Sequence, residues 1–272
     1  MIFQKLVLIV LLSFGFVGGV WARQGANNKN DCLWIVDQQR TLMKSGECSK
    51  RHPPNSTFKI ALALMGFEEG ILLDETHPDI PFQNGFDDSL EVWRKAHNPT
   101  TWVQNSVVWY SQWLTQKMGM KTFQAYVNQL NYGNRDLTGH VGLNNGLTQS
   151  WLSSSLKIAP QEQLVFLRKL INNQLPVSVR AQEMTRHILF LETLPNGALL
   201  YGKTGAGYPK NKSGKPDKQH QFGWFVGWVE YQGKQWVFVS YLERKSDEKT
   251  TLFASKEAKE LIKNKITLLL NN

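Results

Sequence analysis

Metal ligands at useful spacing are missing from this 272-residue chain. Its six histidines stand singly, and its two cysteines, Cys32 and Cys48, are not a C-x-x-C pair, so no metal site is expected. There is no internal repeat and no low-complexity tract. The C-terminal apolar run Ile266–Leu270 is too short to span a bilayer, which needs about 20 residues. Lys210–Lys218, the densest basic stretch, has no interleaved aromatics for base stacking. The net charge of +9 is otherwise dispersed, so no nucleic-acid partner is expected.

What is present is an ordinary globular composition, 42% hydrophobic and 19% charged. It is preceded by a leader. Lys5 stands before the uncharged run Leu6–Val20, and Val20-Trp21-Ala22 offers a cleavage site after Ala22. Residues 1–22 therefore read as a secretory signal peptide; an uncleaved anchor is the alternative. No cysteine follows the run directly, which argues against a lipoprotein. In an exported chain Cys32 and Cys48 either pair or remain reduced, and a hairpin between them could bring them together.

Elements alternate from β to α and back to β. Leu33–Asp37 and Thr41–Met43 read as the strands of that hairpin, with Gln38-Gln39-Arg40 as its turn. After Pro53-Pro54 a helix is expected from Ser56 to Glu68, with Gly70 as its stop. Residues 71 to about 189 read as mostly helical, including segments from Thr101 to Met118, Lys121 to Leu130, Pro160 to Asn172 and Val177 to Leu191. Strands are expected over Ala198–Gly205, Phe222–Tyr231 and Gln235–Leu242, and a last helix over Ser255–Leu270. The fold class is α+β: an antiparallel sheet built from both chain ends, flanked by N- and C-terminal helices, with a helical insertion. The expected domains are 23–67 with 190–272 for the sheet and 68–189 for the helices, with the site at their interface.

Ser56 and Lys59 carry the candidate chemistry, because residues i and i+3 share a helix face. A hydroxyl is a poor nucleophile without a neighbouring base, and a lysine serves only after losing its proton. Taken alone, each residue has a plainer role. Ser56 could be an N-cap, Lys59 a snorkelling surface lysine, and Tyr132-Gly133-Asn134 a helix stop. Ser106 could be a simple helix residue, and Trp151 one of ten tryptophans in the core.

Order and context raise the odds. Ser56-Thr57-Phe58-Lys59, Ser106-Val107-Val108, Tyr132-Gly133-Asn134, Trp151-Leu152 and Lys203-Thr204-Gly205 follow one another, with Gly223-Trp224 to Gly227-Trp228 after them. Across the mature chain this resembles the class D (OXA-type) serine β-lactamases, with the fold of the penicillin-recognising serine enzymes. The resemblance implies hydrolysis of β-lactams: penicillins, among them the oxacillin type, and some cephalosporins. It implies Ser56 as acylated nucleophile, Lys59 carboxylated by CO2 or bicarbonate, and Ser106 as proton relay. Val108, Trp151 and Leu152 would form the carbamate pocket. Ser106, Lys203, Thr204, Gly205 and Ala206 would bind substrate, with the backbone N–H groups of Ser56 and Ala206 as oxyanion hole. No bound cofactor or metal is implied. The product would be periplasmic, unanchored after signal cleavage, and a monomer or homodimer.

One departure stands out. The family carries an arginine just before the final helix, where this chain reads Leu252-Phe253-Ala254-Ser255-Lys256. Lys203, Thr204, Ser255 and Lys256 are the candidates to replace it; Arg244 is near but not at the matching place. The alternative functions are a β-lactam sensor domain, which is tethered behind membrane spans, and a D-Ala-D-Ala peptidase, which favours S-x-N.

Overall fold

A computed structural model describes residues 28–211, 215–246 and 253–270. The signal segment and Leu252 lie outside the described residues. Two strands, β1 (Cys32–Val36) and β2 (Thr41–Gly46), form the expected hairpin. The Asp37 carboxylate closes its turn by accepting from the backbone N–H groups of Gln39 and Arg40 at 2.8 and 2.7 Å. Late in the chain come β3 (Phe190–Thr193), β4 (Leu199–Gly207), β5 (His220–Tyr231) and β6 (Lys234–Lys245). All pairings are antiparallel, and the sheet order is β2-β1-β6-β5-β4-β3. Gln232 and Gly233, both at positive φ, join β5 to β6 as a two-residue hairpin loop.

The sheet is covered on both faces. Trp224, Val226 and Trp228 of β5 enter one core with the inner helices, while Phe225 and Val229 enter another with α7 (Ala254–Leu270). This explains why β5 reads as a continuous apolar run without alternation. The inner helices are α1 (Lys59–Glu68), α2 (Pro99–Gln104), α3 (Val108–Gln129), α4 (Gly146–Gln149), α5 (Pro160–Ile171) and α6 (Val179–Ile188). Every residue of α1 from Lys59 to Phe67 is buried, so this helix is apolar all round and runs through the core.

The helical region differs from expectation in several places. Residues 73–98 are irregular apart from one short turn at Glu91–Trp93. The helix expected to reach Leu191 ends at Ile188, and Phe190–Thr193 becomes an edge strand on β4. The open edge of β4 offers backbone partners that side-chain periodicity does not reveal. Gly119, at φ 76° and ψ 156°, breaks α3 at the expected stop, but the chain continues helically in nearly unbroken sequence. Among the described residues, no helix is long and apolar enough to cross a membrane.

Cys32 and Cys48 are joined by a disulfide across a sequence separation of 16. It ties β1, the strand next to the β2 edge, to the segment leading to Ser56. A closed loop of this length removes about 3 kcal/mol of freedom from the unfolded chain. Replacing both cysteines by alanine should therefore lower the unfolding free energy by about 3 kcal/mol, read from urea denaturation; a change below about 1 kcal/mol would mean the loop is already constrained when unfolded.

Candidate active site

Ser56 lies in a single 3-10 turn, Asn55–Phe58, that runs straight into α1. The expected α-helical start is thus a tighter turn. In it, side chains at i and i+3 eclipse, which sets Ser56 over Lys59. The Ser56 Oγ lies 3.4 Å from Lys59 Nζ. Lys59 is fully buried because its helix has no wet face. Desolvation drives its pKa well below the ordinary lysine value, and nearby Lys203 pushes in the same direction.

Lys203 stands on β4 and is also buried, which holds its pKa down to about 7. Its Nζ donates to Ser106 Oγ at 2.5 Å and to the Thr204 carbonyl at 3.1 Å. Ser106, expected within a helix, sits instead in the break between α2 and α3, with φ +57°. That left-handed backbone, uncommon for serine, turns the residue out of both helices. Val108 opens α3 and is half-buried.

Trp151 is fully buried and packs on Phe58, with ring centroids 5.7 Å apart. Its indole Nε1–H has no hydrogen-bond partner among the described residues. A buried donor without an acceptor costs about 1–3 kcal/mol, so an acceptor set against this one would be stabilised by that amount. Leu152 beside it is half-buried. Thr204, Gly205 and Ala206 pair with Phe225, Trp224 and Gly223 of β5. Gly205 is required by contact: a Cβ there would lie 2.7 Å from the Pro54 carbonyl and 3.0 Å from Thr57 Cγ2. Its absence lets the Ser56 turn rest on β4.

Tyr132-Gly133-Asn134 serves the scaffold. Tyr132 packs edge-on against Phe58 and Phe166, and burial raises its hydroxyl pKa. The Asn134 amide donates to the Ser155 carbonyl at 2.8 Å and accepts from Lys157 N–H at 2.9 Å. Arg244 is committed elsewhere. Its guanidinium binds Glu257 through Nε and Nη2 and Asp31 through Nη1, at 2.5–2.9 Å, pinning α7 to the sheet. Ser255, at the start of α7, packs so closely on Gly223 that a Cβ on that glycine would collide with its backbone nitrogen. Gly223 in turn pairs with Ala206, whereas the side chain of Lys256 is exposed.

Two contacts at the site lie outside the sequence motifs. Gln163 of α5, fully buried, donates to Thr57 Oγ1 at 2.9 Å and braces the Ser56 turn; its place on an apolar helix face is the available clue. Asn55, directly before Ser56, has a buried side chain that bonds to Ser153 and Ala206.

The penicillin binding protein transpeptidase domain family matches residues 22–266. The chain is 43% identical over 224 residues to the β-lactamase OXA-1 of Escherichia coli, covering 82% of this chain and 76% of that protein. It is 39% identical over 244 residues to OXA-9 of Klebsiella pneumoniae, covering 89% and 88%. Among solved structures, that of the class D β-lactamase OXA-427 superposes with a TM-score of 0.82 at 43% identity, covering 89% of this chain and 98% of that one.

Burial of Lys203 has a thermodynamic consequence. Between the folded value of about 7 and the ordinary 10.5, the unfolded chain holds a proton that the folded chain has lost. Stability therefore rises with pH through this window and is not altered by this group below it. Relative to Lys203→Met, the wild-type protein should gain a few kcal/mol of urea-unfolding free energy between about pH 7 and 10, at about 1.4 kcal/mol for each step of one in pH. A difference that stays flat across that range would refute a burial-driven fall in the Lys203 pKa.

Proposed function

The chain belongs to the class D β-lactamases, serine hydrolases acting on the β-lactam amide, and on that premise we propose that it turns over penicillins, the oxacillin type included, and some cephalosporins through an acyl-enzyme on Ser56. The observation that carries this reading is the Ser56 hydroxyl beside a lysine with no access to water. Ser56 Oγ attacks the lactam carbonyl, and the carbon–nitrogen bond breaks. Ser106 passes a proton to the leaving nitrogen and regains one from Lys203, 2.5 Å away and able to exchange protons near neutrality. The backbone N–H groups of Ser56 and Ala206 hold the developing oxyanion, an arrangement in which one donor contributes about 3–4 kcal/mol. Ser106, Lys203, Thr204, Gly205 and Ala206 bind the substrate; with Arg244 engaged by Glu257 and Asp31, its carboxylate falls to Lys203, Thr204 or Ser255.

Lys59 works best in this reading as a carbamate formed with carbon dioxide. Its desolvation favours the neutral amine that can add CO2, and the partnerless Trp151 indole, with Val108 and Leu152 as apolar walls, suits the resulting anion. Once formed, the carbamate accepts the Ser56 Oγ proton as the serine attacks, and then takes a proton from the water that attacks the Ser56 ester, so that the ring-opened acid leaves and the serine hydroxyl is restored. We also place the protein in the bacterial periplasm, from its leader sequence and its disulfide. The site is read as lying between a sheet domain, 23–67 with 190–272, and a helical domain, 68–189.

Lys59→Ala should still be acylated slowly but should accumulate the Ser56 adduct, visible by intact-protein mass spectrometry, with turnover of a chromogenic cephalosporin down by at least about 100-fold. Rapid turnover by that variant would sink the mechanism. Trp151→Ala should lower activity about 10-fold or more, and added bicarbonate should restore part of it. A bicarbonate response identical to that of the wild type would count against the indole contact.

A further inference from the structure

Asn55 does more than precede the nucleophile. Its backbone is left-handed, with φ +46°, a region asparagine tolerates better than most residues. Conformation alone would be served by glycine, so the side chain needs its own explanation. Asn55 is 6% exposed, and both ends of its amide are used. Oδ1 accepts from the Ser153 backbone N–H at 2.8 Å, and Nδ2 donates to the Ala206 carbonyl at 2.5 Å. The Asn55 backbone N–H donates to the Trp151 carbonyl at 3.1 Å. One residue thus joins the Ser56 turn, the loop carrying Trp151 and the end of β4, across sequence separations of 98 and 151.

We propose that Asn55 is a positioning residue for acylation, holding Ala206 and the Trp151–Ser153 loop in register with the Ser56 turn and so keeping the Ala206 backbone N–H aimed at the developing oxyanion. This rests on the reading above that Ser56 is acylated and Ala206 is an oxyanion donor. The chemistry asks for an amide: a carbonyl needs a donor, an N–H needs an acceptor, and a short side chain must offer both. Gly207 leaves room for it, since a Cβ there would collide with Asn55 Nδ2 and lie 2.9 Å from Ser153 Oγ.

The test is single-turnover acylation of Ser56 by a chromogenic cephalosporin, followed by stopped flow in the wild type, Asn55→Asp, Asn55→Gly and Gly207→Ala. Asn55→Gly keeps the backbone at ease and deletes both side-chain bonds; Gly207→Ala displaces the amide without changing residue 55. Both should acylate about 10- to 100-fold more slowly, with substrate dissociation constants changed by less than about threefold. Asn55→Asp keeps the Ser153 bond but sets a carboxylate against the Ala206 carbonyl. It should be as slow at about pH 8, and its rate relative to wild type should recover at least about fivefold by about pH 5, where a protonated carboxyl can donate. Asn55→Gly carries no carboxyl, so its own rate ratio to wild type over the same pH range is the baseline against which the Asn55→Asp recovery is read. A flat ratio, or wild-type acylation by Asn55→Gly and Gly207→Ala, would overturn the proposal. If Asn55→Gly is unfolded by circular dichroism, Gly207→Ala and the Asn55→Asp ratio decide. Wild-type protein that forms no Ser56 adduct would overturn the acyl-enzyme reading itself, and this proposal with it.

Discussion

The burial of one amine governs this molecule. An ammonium moved from water into a protein interior costs several kcal/mol even after relaxation, unless an opposite charge compensates. Among the described residues no acid offsets the desolvation of Lys59 or Lys203, and Lys203 acts on Lys59 in the wrong direction for holding a proton. Desolvation therefore decides, and it favours the neutral amine of Lys59. That cost is met by packing. Lys59 opens a helix whose next eight residues, through Phe67, are all buried. The neighbouring sheet strand β5 is apolar on both faces, and each fully buried large side chain contributes about 1.5–3 kcal/mol.

The two lysines are not equivalent. Desolvation lowers the pKa of both, to about 7 for Lys203, and Lys59 is lowered further by the charge of Lys203. Lys203 also has an acceptor at each of two oxygens, Ser106 Oγ and the Thr204 carbonyl. Lys59 has the Ser56 hydroxyl, at a long 3.4 Å. Lys203 thus exchanges its proton near neutral pH, and Lys59 is held still further from the charged form. A single lysine could not serve both tasks, because each demands a different resting charge.

The chemistry is more legible in the sequence than the backbone that presents it. Ser56, Lys59, Ser106, Trp151 and Lys203 are readable because their spacing and order are unusual together, and the sheet is readable because its strands are strongly apolar. The backbone at the site is less so. Ser56 occupies a 3-10 turn, and Ser106 a left-handed break, because the two positions are fixed by contacts from far along the chain. Gly205 pressing on Pro54 and Thr57 is one such contact, and no local propensity encodes it. The edge strand Phe190–Thr193 is hidden for the same reason: it depends on pairing with β4, not on its own periodicity. Asn55 is hidden further, since its amide reads as an ordinary turn residue until Ser153 and Ala206 are seen beside it.

Three non-glycine residues with left-handed backbones, Asn55, Ser106 and Ser153, lie at the site: one before Ser56, one between α2 and α3 and one after the Trp151-Leu152 pair. Each such conformation costs of order 1 kcal/mol and persists only where surrounding contacts prescribe it. Here they are prescribed by bonds between distant segments: Lys203 to Ser106, and Asn55 to both Ser153 and Ala206. The strained positions and the buried lysine are therefore parts of one arrangement. Relaxing any of these turns would shift Ser56, Ser106 or Trp151 relative to the others. A displacement of about 1 Å can cost a hundredfold in rate, so the same contacts that carry the strain also set the chemistry.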